Sequence, residues 1–307
     1  MSLSIKNLSK KYGENSVLNK IEFTLNQGEI ISIIGASGCG KTTLLKCITG
    51  LCDIDEGEIK INLKPIHKLP PNKRNIGYVF QESPLFPHLN IFENIVFNMK
   101  KFDSEKLDFL LDKIQIKHLK KRYPHEISGG ENQRTAVIRS LIRNPDLFLL
   151  DEPFTNLDKV TKEHTKELIF DIIKETKTTT ILVNHDIQDS LELSDRLLVL
   201  DESNIKMLNN SLKVYSEPSS LKIAKLFGEV NNLEIEGKQV YIRPKDVTIV
   251  TKSEIKAEVI QSNFVGQHFK ITAKIGSKKI TLFNKKEIMK NTQIHLRLKQ
   301  ENILKFD

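Results

Sequence analysis

Hydrophobic positions in the first sixty residues change from alternation to an uninterrupted run. The stretches LSIKNLSKKY (3–12) and IEFTL (21–25) alternate apolar and polar residues, which predicts half-buried strands. The run EIISIIGASG (29–38) is almost continuously apolar before its glycines, which predicts a buried strand ending in a tight turn. KTTLLKCITGL (41–51) has helical spacing, and DIDEGEIKIN (53–62) returns to strand. The order is strand, loop, helix, strand.

The middle of the chain predicts helices followed by two more buried strands. Residues 85–145 have helical patterns interrupted by prolines and by Gly129 and Gly130, which predicts a helical insertion. DLFLLDEP (146–153) and TTTILVNHD (178–186) then read as buried strands, and a helical pattern follows each. This alternation predicts an α/β fold with a parallel sheet wound with helices.

After Asn231 the pattern changes to short alternating strands broken by Gly and Asn. The predicted strands are QVYIRP, VTIVTK, AEVIQSNF, HFKITAKI, KKITLF and IHLRLK. They predict a small all-β barrel or sandwich. We therefore expect two domains, 1–233 and 234–307.

The distribution of charge separates the same two regions. The chain carries a net charge of +8, and residues from 234 onward hold 15 Lys and Arg against 8 Asp and Glu, compared with 32 against 31 before them. A basic region of this kind suggests an anionic partner, either nucleic acid or a membrane surface.

Other compositional features limit the possible classes of protein. No stretch approaches the roughly 18 uncharged apolar residues of a membrane-spanning helix, and the first residues lack the apolar core of a signal peptide, so we expect a cytoplasmic chain. Cys39, Cys47 and Cys52 form no CxxC pair and are expected to be reduced thiols. A redox role for Cys39 is an alternative to simple packing.

The stretch GASGCGKT fits the phosphate-binding pattern GxxxxGK[ST] and lies between a predicted strand and a predicted helix. Glycines let backbone N–H groups converge on phosphate oxygens at the start of a helix. Lys41 would reach the β and γ phosphates, and the hydroxyl of Thr42 would ligate Mg²⁺.

Four further polar residues lie at or after the ends of predicted strands and complete the candidate site. Asp151 ends the strand LFLLD and could hold Mg²⁺, and the adjacent Glu152 could act as general base toward an attacking water. His185 follows the next strand and could hold the γ-phosphate and that water. Gln81 follows NIGYVF and could bond to Mg²⁺ or a water when its loop closes. The alternative is a solvated strand end for Asp151 and Glu152, a surface or core histidine for His185 and a plain turn residue for Gln81.

The order of these motifs resembles the ATP-binding cassette (ABC) ATPases. The residues that carry the resemblance are Tyr12, the stretch GASGCGKTT, Gln81, ISGGENQR (127–134), LFLLDE, TNLD (155–158) and His185. Stretches such as RNIGYVFQESPLFPHLNIFENIVF and VYSEPSSLKIAKLFGEVNNL are similar to importer ATPases of the polyamine, ferric-iron and sugar type. YIRPKDV (241–247) resembles the start of the small regulatory, TOBE-like β domain that those subunits carry.

The resemblance implies an ATP-hydrolysing importer subunit with ATP and Mg²⁺ as cofactors. Implied nucleotide contacts are Tyr12, whose ring would stack on adenine, the loop Gly35, Ala36, Ser37, Gly38, Cys39, Gly40, Lys41, Thr42 and Thr43, the signature residues Ser128, Gly129 and Gly130, and Asp158. Glu152, His185 and Gln81 would be catalytic, and Thr42, Gln81 and Asp151 would hold the metal. ISGGENQR would close over the ATP of a second copy, and Thr155 to Asp158 would lie across that dimer seam.

The same resemblance implies partners and a location. Gln81 and residues 82–100 would contact integral membrane permease subunits, an extracytoplasmic solute-binding protein would deliver the solute, and the chain would sit at the cytoplasmic face of the inner membrane. The GEVNNL similarity favours a polyamine or ferric ion as solute. Two alternatives are an exporter cassette and a soluble cassette ATPase acting on nucleic acid or ribosomes. The C-terminal β region argues against the first, and the single phosphate loop and scattered aromatics argue against the second, so no nucleic acid is expected.

Two positions depart from the common family pattern. Glu131 stands in the signature where Gln is frequent, and Asn184 stands where Thr often precedes the histidine. Neither change removes a catalytic group, so we expect an active ATPase.

Overall fold

The computed structural model describes residues 2–81, 84–235 and 237–306. They form two compact units that divide between Ser211 and Leu212. None of the helices in these ranges is long and apolar enough to span a bilayer.

The first unit contains ten strands and six α-helices within its described residues. The strands are β1 (Leu3–Tyr12), β2 (Asn15–Leu25), β3 (Ile30–Ile34), β4 (Glu56–Ile61), β5 (Lys64–Pro65), β6 (Ile76–Val79), β7 (Leu147–Asp151), β8 (Thr180–Val183), β9 (Arg196–Asp201) and β10 (Asn204–Asn210). The helices are α1 (Lys41–Thr49), α2 (Ile91–Ile95), α3 (Ser104–Lys113), α4 (Gly129–Leu141), α5 (Lys159–Glu175) and α6 (Ile187–Leu193), with 3-10 turns at Pro71–Lys73, Lys117–Leu119 and Pro124–Glu126.

The central sheet has the order β10-β9-β3-β8-β7-β6, and only the edge strand β10 is antiparallel to its neighbour. Both of its faces are buried, since Leu147 and Leu149 of β7 pack into one core while Phe148 and Leu150 pack into the other. Burial on both faces explains the continuous apolar runs of the sequence. The predicted parallel sheet wound with helices is confirmed.

A second, antiparallel sheet has the order β2-β1-β4-β5 and shares a core with one face of the central sheet. The strand predicted at 53–62 is present as β4, but it pairs with β1 and not with the parallel strands. The helical insertion predicted at 85–145 contains α2, α3 and α4, and their apolar side chains pack with α5 against the other face.

The second unit contains two short helices and seven strands within its described residues. They are α7 (Ser211–Ser216), which begins at the boundary, α8 (Leu221–Leu226), β11 (Asn231–Ile235), β12 (Lys238–Ile242), β13 (Val247–Val250), β14 (Lys256–Phe264), β15 (Phe269–Ile275), β16 (Lys278–Asn284) and β17 (Gln293–Leu298), with 3-10 turns at Pro244–Asp246 and Gln300–Asn302. The strands form the hairpin β11-β12 and the antiparallel sheet β13-β17-β14-β15-β16 around one core. The predicted all-β character of this region is confirmed.

The division between the units falls upstream of the expected boundary at 234. Arg243 accounts for the difference, because its guanidinium donates to the backbone carbonyls of Tyr215 in α7 and Ala224 in α8, at 3.0 and 3.2 Å. The ring of Tyr215 also lies 4.1 Å from the Arg243 guanidinium carbon. These contacts hold α7 and α8 to the strands of the second unit, although the sequences of the two helices have no strand pattern.

Candidate functional site

The phosphate loop connects β3 to α1 at the carboxyl edge of the central sheet. A side chain at Gly35 would place its Cβ 2.1 Å from the carbonyl oxygen of Leu200, and Gly40 has φ +106° with Val17 O 2.8 Å from an added Cβ. Only glycine fits both positions. Gly40 caps α1 with no side-chain hydrogen bond, so the amides of the first helical turn stay open to an anion.

Lys41 is only 6% exposed, and its ammonium lies against this loop. It donates to the carbonyls of Gly35 and Ala36 at 2.9 and 3.0 Å, and Cys39 Sγ lies 4.0 Å away. A lysine has three donor protons, and the third is directed at the Cys39 sulfur, a weak acceptor that a phosphate oxygen would displace. The arrangement places a nearly buried cation beside the open amides of α1, which is a favourable site for phosphate oxygens.

Asp151 ends β7 with one carboxylate oxygen engaged and the other without a partner. Its Oδ2 accepts a hydrogen bond of 2.9 Å from the Tyr78 hydroxyl, whereas the buried Oδ1 has no hydrogen-bond partner among the described residues. Burial raises the pKa of Asp151, against the lowering effects of the Tyr78 and Thr42 hydroxyls and of nearby lysines. A bound cation would satisfy this oxygen and keep the carboxylate ionised.

Glu152 and His185 meet next to Asp151 because their strands end at the same level. Asp151 pairs with Val183 of β8 across the sheet, and Val183 also pairs with Ile33 of β3. The imidazole Nε2 of His185 lies 2.6 Å from Glu152 Oε1. Glu152 is buried and has φ +50°, a strained conformation for a non-glycine residue that the sequence did not indicate.

These groups surround a cleft of about 200 Å³. The residues that line it are Val17, Ser37, Gly38, Gly40, Lys41, Thr42, Thr43, Glu152 and His185. Eight of the nine are among the predicted site residues, and Val17 is not. The predicted phosphate loop, general base and histidine therefore lie together, with Asp151 at the end of the adjoining strand.

Tyr12 and Gln81 lie outside this lining. Half of the Tyr12 side chain is exposed at the end of β1, where its hydroxyl is 3.3 Å from Cys52 Sγ and Lys10 Nζ is 5.6 Å from the ring centroid. Gln81 is exposed two residues after β6, the strand that pairs with β7. Of the region expected to meet membrane subunits, Glu82 and Ser83 lie outside the described residues. The roles of Tyr12 and Gln81 stay predictions.

The signature stretch forms the start of α4, and Glu131 has a definite function there. Ser128 caps the helix by accepting from the amide of Glu131 at 3.3 Å, and the Glu131 carboxylate accepts from the Ser128 amide and hydroxyl at 2.7 and 2.8 Å. Burial alone would raise the pKa of Glu131, but these hydrogen bonds from Ser128 and the charge of Arg134 leave that pKa lowered. The charge is therefore directed at its own helix end.

Asp158 is the equivalent cap of α5. Its carboxylate accepts from the amides of Val160 and Thr161, both at 3.1 Å. Three residues earlier, the hydroxyl of Thr155 donates to the carbonyl of Glu152 at 3.1 Å. The TNLD turn thus connects the candidate general base to the first turn of α5.

Sequence analysis missed two sets of residues that support the site. One is Tyr78, which orients Asp151 from the neighbouring strand. The other is a group of charges in which the half-buried Lys162 and the buried Lys166 of α5 contact the buried Asp189 of α6. The only sequence signal for the latter is the i, i+4 spacing of the two lysines, which is also common on solvated helix faces.

The fold and the cleft define the class of P-loop nucleotide-binding proteins, with a parallel sheet and a strand-end carboxylate facing the loop. Within that class the chain belongs to the ABC transporter family. A model of the family described as ABC transporter matches residues 18–155.

Relatives extend the similarity along almost the whole chain. The Fe(3+) ions import ATP-binding protein FbpC of Fusobacterium nucleatum is 32% identical over 99% of this chain and 92% of its own length. The sulfate/thiosulfate import ATP-binding protein CysA of Pseudomonas putida is 32% identical, covering 90% and 88%. The spermidine/putrescine import ATP-binding protein PotA of Legionella pneumophila is 36% identical, covering 82% and 70%.

A solved structure supports the same assignment. The dimeric ATP-binding cassette MJ0796 in a post-hydrolysis state bound to ADP and Pi aligns with a TM-score of 0.59 and 29% identity, covering 68% of this chain and 98% of that one. The predicted ABC ATPase family is confirmed.

Proposed function

We propose that this chain is the ATP-hydrolysing subunit of an importer, which dimerises around two ATP molecules and drives partner permease subunits. The observation that carries the proposal is the 2.6 Å contact between Glu152 and His185 beside the phosphate loop. The import ATP-binding relatives cover the C-terminal β unit as well as the cassette, which favours an importer over an exporter.

The chemistry follows from the positions of these groups. The open amides of α1 and the Lys41 donor that faces Cys39 bind the β and γ phosphates and hold the γ-phosphorus toward Glu152. The oxygen of a water bonds to the γ-phosphorus while the Glu152 carboxylate accepts a proton from that water. The bond between the γ-phosphorus and the ADP oxygen breaks at the same time. His185 holds the carboxylate in place through the contact of its Nε2 with Glu152 Oε1.

Mg²⁺ fits the residues present, because the unpartnered Asp151 Oδ1 and the Thr42 hydroxyl are oxygen ligands of the kind this ion prefers. Asp151 and Thr42, with Gln81 as a further ligand, would hold it. When bound, the ion neutralises charge on the β and γ phosphates.

The dimer is proposed from the outward-facing signature helix. Ser128 caps α4 and Gly129 and Gly130 begin it, so the amides of the two glycines would form a second anion site that covers the nucleotide of another copy. Gln81 and the 82–100 region would contact the permease at the inner face of the membrane, and a solute-binding protein would supply a ferric ion or polyamine. Attraction to anionic lipid accounts for the basic C-terminal region without nucleic acid.

The Glu152→Gln variant tests the proposal. Because the amide cannot accept the proton, ATP turnover should fall by about 10²–10⁴-fold while ATP binding is retained. Glu175→Gln, which removes only an exposed ion pair with Lys113 at the end of α5, is the matched control and should leave turnover unchanged. Unchanged turnover in Glu152→Gln would exclude Glu152 as the base.

A further inference from the structure

The backbone that carries His185 is held on both sides by one buried asparagine. Asn184 is 7% exposed, and its Nδ2 donates to Asp189 Oδ2 at 3.0 Å. Its Oδ1 accepts from the amide of Asp186 at 3.2 Å. The single side chain of Asn184 therefore fixes the residue before His185 and the residue after it.

His185 needs such support because packing does not provide it. Its side chain is 53% exposed, whereas its partner Glu152 is 9% exposed. An exposed imidazole keeps most of its rotamer freedom, so the direction of its Cα–Cβ bond decides how often it reaches Glu152. That direction is set by the backbone of residues 184–186.

Asp189 in turn is held by two cations from another helix. Its Oδ2 lies 2.7 Å from Lys162 Nζ, its Oδ1 lies 3.1 Å from Lys166 Nζ, and the side chains of Asp189 and Lys166 are 3% and 4% exposed. Lys162 also contacts Asp186 at 2.6 Å. Lys166 is also paired with Glu163 and Glu192, at 2.7 and 3.2 Å, so a network of ion pairs holds Asp189 in place.

We propose that Asp189, anchored by Lys162 and Lys166 of α5, positions His185 through Asn184 for its contact with Glu152. Asn184 and Asp189 are positioning residues, since neither lines the cleft. The inference rests on the proposed ATPase function. It also gives a physical role to Asn184, the position at which this chain departs from the common Thr: the longer amide side chain reaches Asp189 and the Asp186 amide at once.

A double-mutant cycle tests this role. Asn184→Ala should lower kcat about tenfold, because misplacement of a catalytic group by about 1 Å costs up to 10²-fold, and should leave KM for ATP unchanged. In a His185→Ala background the same change should have no further effect on kcat, since Asn184 acts only through His185. An equal loss in both backgrounds would overturn the proposal.

Asn231→Ala is the matched control for loss of a buried asparagine. Asn231 is 6% exposed and makes two bonds to the backbone of Thr281, but it lies in the second unit. Its removal should leave kcat unchanged. If Asn184→Ala does not fold, Lys162→Met replaces it in the cycle: a loss of kcat confined to chains with His185 supports the proposal, and wild-type turnover overturns it.

Imidazole NMR separates failure of this inference from failure of the proposed function. A wild-type chain that hydrolyses no ATP contradicts the proposed function. The positioning of His185 is then judged from the resonances of its ring, which are assigned by their absence in His185→Ala. These should shift in Asn184→Ala and not in Asn231→Ala. Unchanged His185 resonances in Asn184→Ala would overturn the positioning role.

Discussion

Two helices of the first unit, α1 and α4, have glycines at their N-terminal ends, and these ends are capped differently. At α1 the cap is Gly40, which offers no side chain to the first-turn amides. At α4 the cap is Ser128, which exchanges hydrogen bonds with Glu131. The α1 end has a lysine beside it, with Lys41 Nζ 2.9 Å from the carbonyl of Gly35.

The difference indicates two kinds of anion site. The α1 end combines open amides with a nearly buried cation, so it can bind phosphate by itself. At the α4 end the Ser128 and Glu131 amides are already paired. The N–H groups of Gly129 and Gly130, which precede the first intrahelical hydrogen bond, are left to bind an anion. Such an end offers weaker anion binding, which suits a surface that covers a phosphate already held by another copy.

Removal of the lysine should have the largest effect. Lys41→Ala should weaken ATP binding by about 10–100-fold, equivalent to the roughly 1.5–3 kcal/mol of a hydrogen bond to a charged group. Ser128→Ala should leave the ATP affinity of a single chain unchanged. Titration calorimetry of both variants checks this contrast, and a similar loss in both would show that the two ends are not distinct.

The two signature glycines should differ in their tolerance of a methyl group. A Cβ at Gly130 would lie 2.5 Å from Thr161 Cγ2 of α5, whereas at Gly129 the nearest atom, Leu157 Cδ2, is 3.5 Å away. Gly130→Ala should therefore cost about 1–3 kcal/mol of unfolding free energy by overpacking. Gly129→Ala should be neutral or stabilising by up to about 1 kcal/mol. Urea unfolding of the pair measures both, and equal stabilities would contradict the packing of α4 on α5.

The smallest effect is expected at Glu131, and it depends on pH. Because the folded-state pKa of Glu131 is lowered, its stabilisation is complete above the ordinary pKa of glutamate and is lost as the pH falls through the folded-state value. Glu131→Gln keeps a capping amide and should cost about 0.3–1 kcal/mol at pH 7, and this cost should disappear as the pH falls through the folded-state pKa. A difference independent of pH would mean that the Glu131 charge does not stabilise α4.

Patterns with strong periodicity or spacing predicted much of the fold and of the cleft. Continuous apolar runs predicted β3, β7 and β8, and their carboxyl ends carry Lys41, Glu152 and His185 into one cleft.

The pairing of β4 with β1 was not predictable, since the alternating pattern of a strand does not specify which strand it pairs with. The membership of α7 and α8 in the second unit depends on Arg243, whose contacts are more than 18 residues away in the sequence. The left-handed backbone of Glu152 has no sequence signal either, because that conformation is imposed by the surrounding structure.

The central claim is that the α1 end of one chain and the α4 end of another share one nucleotide. Mixing two chains tests it, one with Lys41→Ala and one with Ser128→Glu, both also carrying Glu152→Gln to prevent turnover. Each chain alone has no intact pair of ends, but the mixture forms one. ATP with Mg²⁺ should therefore produce dimers, measured by analytical ultracentrifugation, only in the mixture. The claim would be contradicted if the mixture stays monomeric while a chain carrying only Glu152→Gln dimerises. It would also be contradicted if either mixed chain dimerises alone.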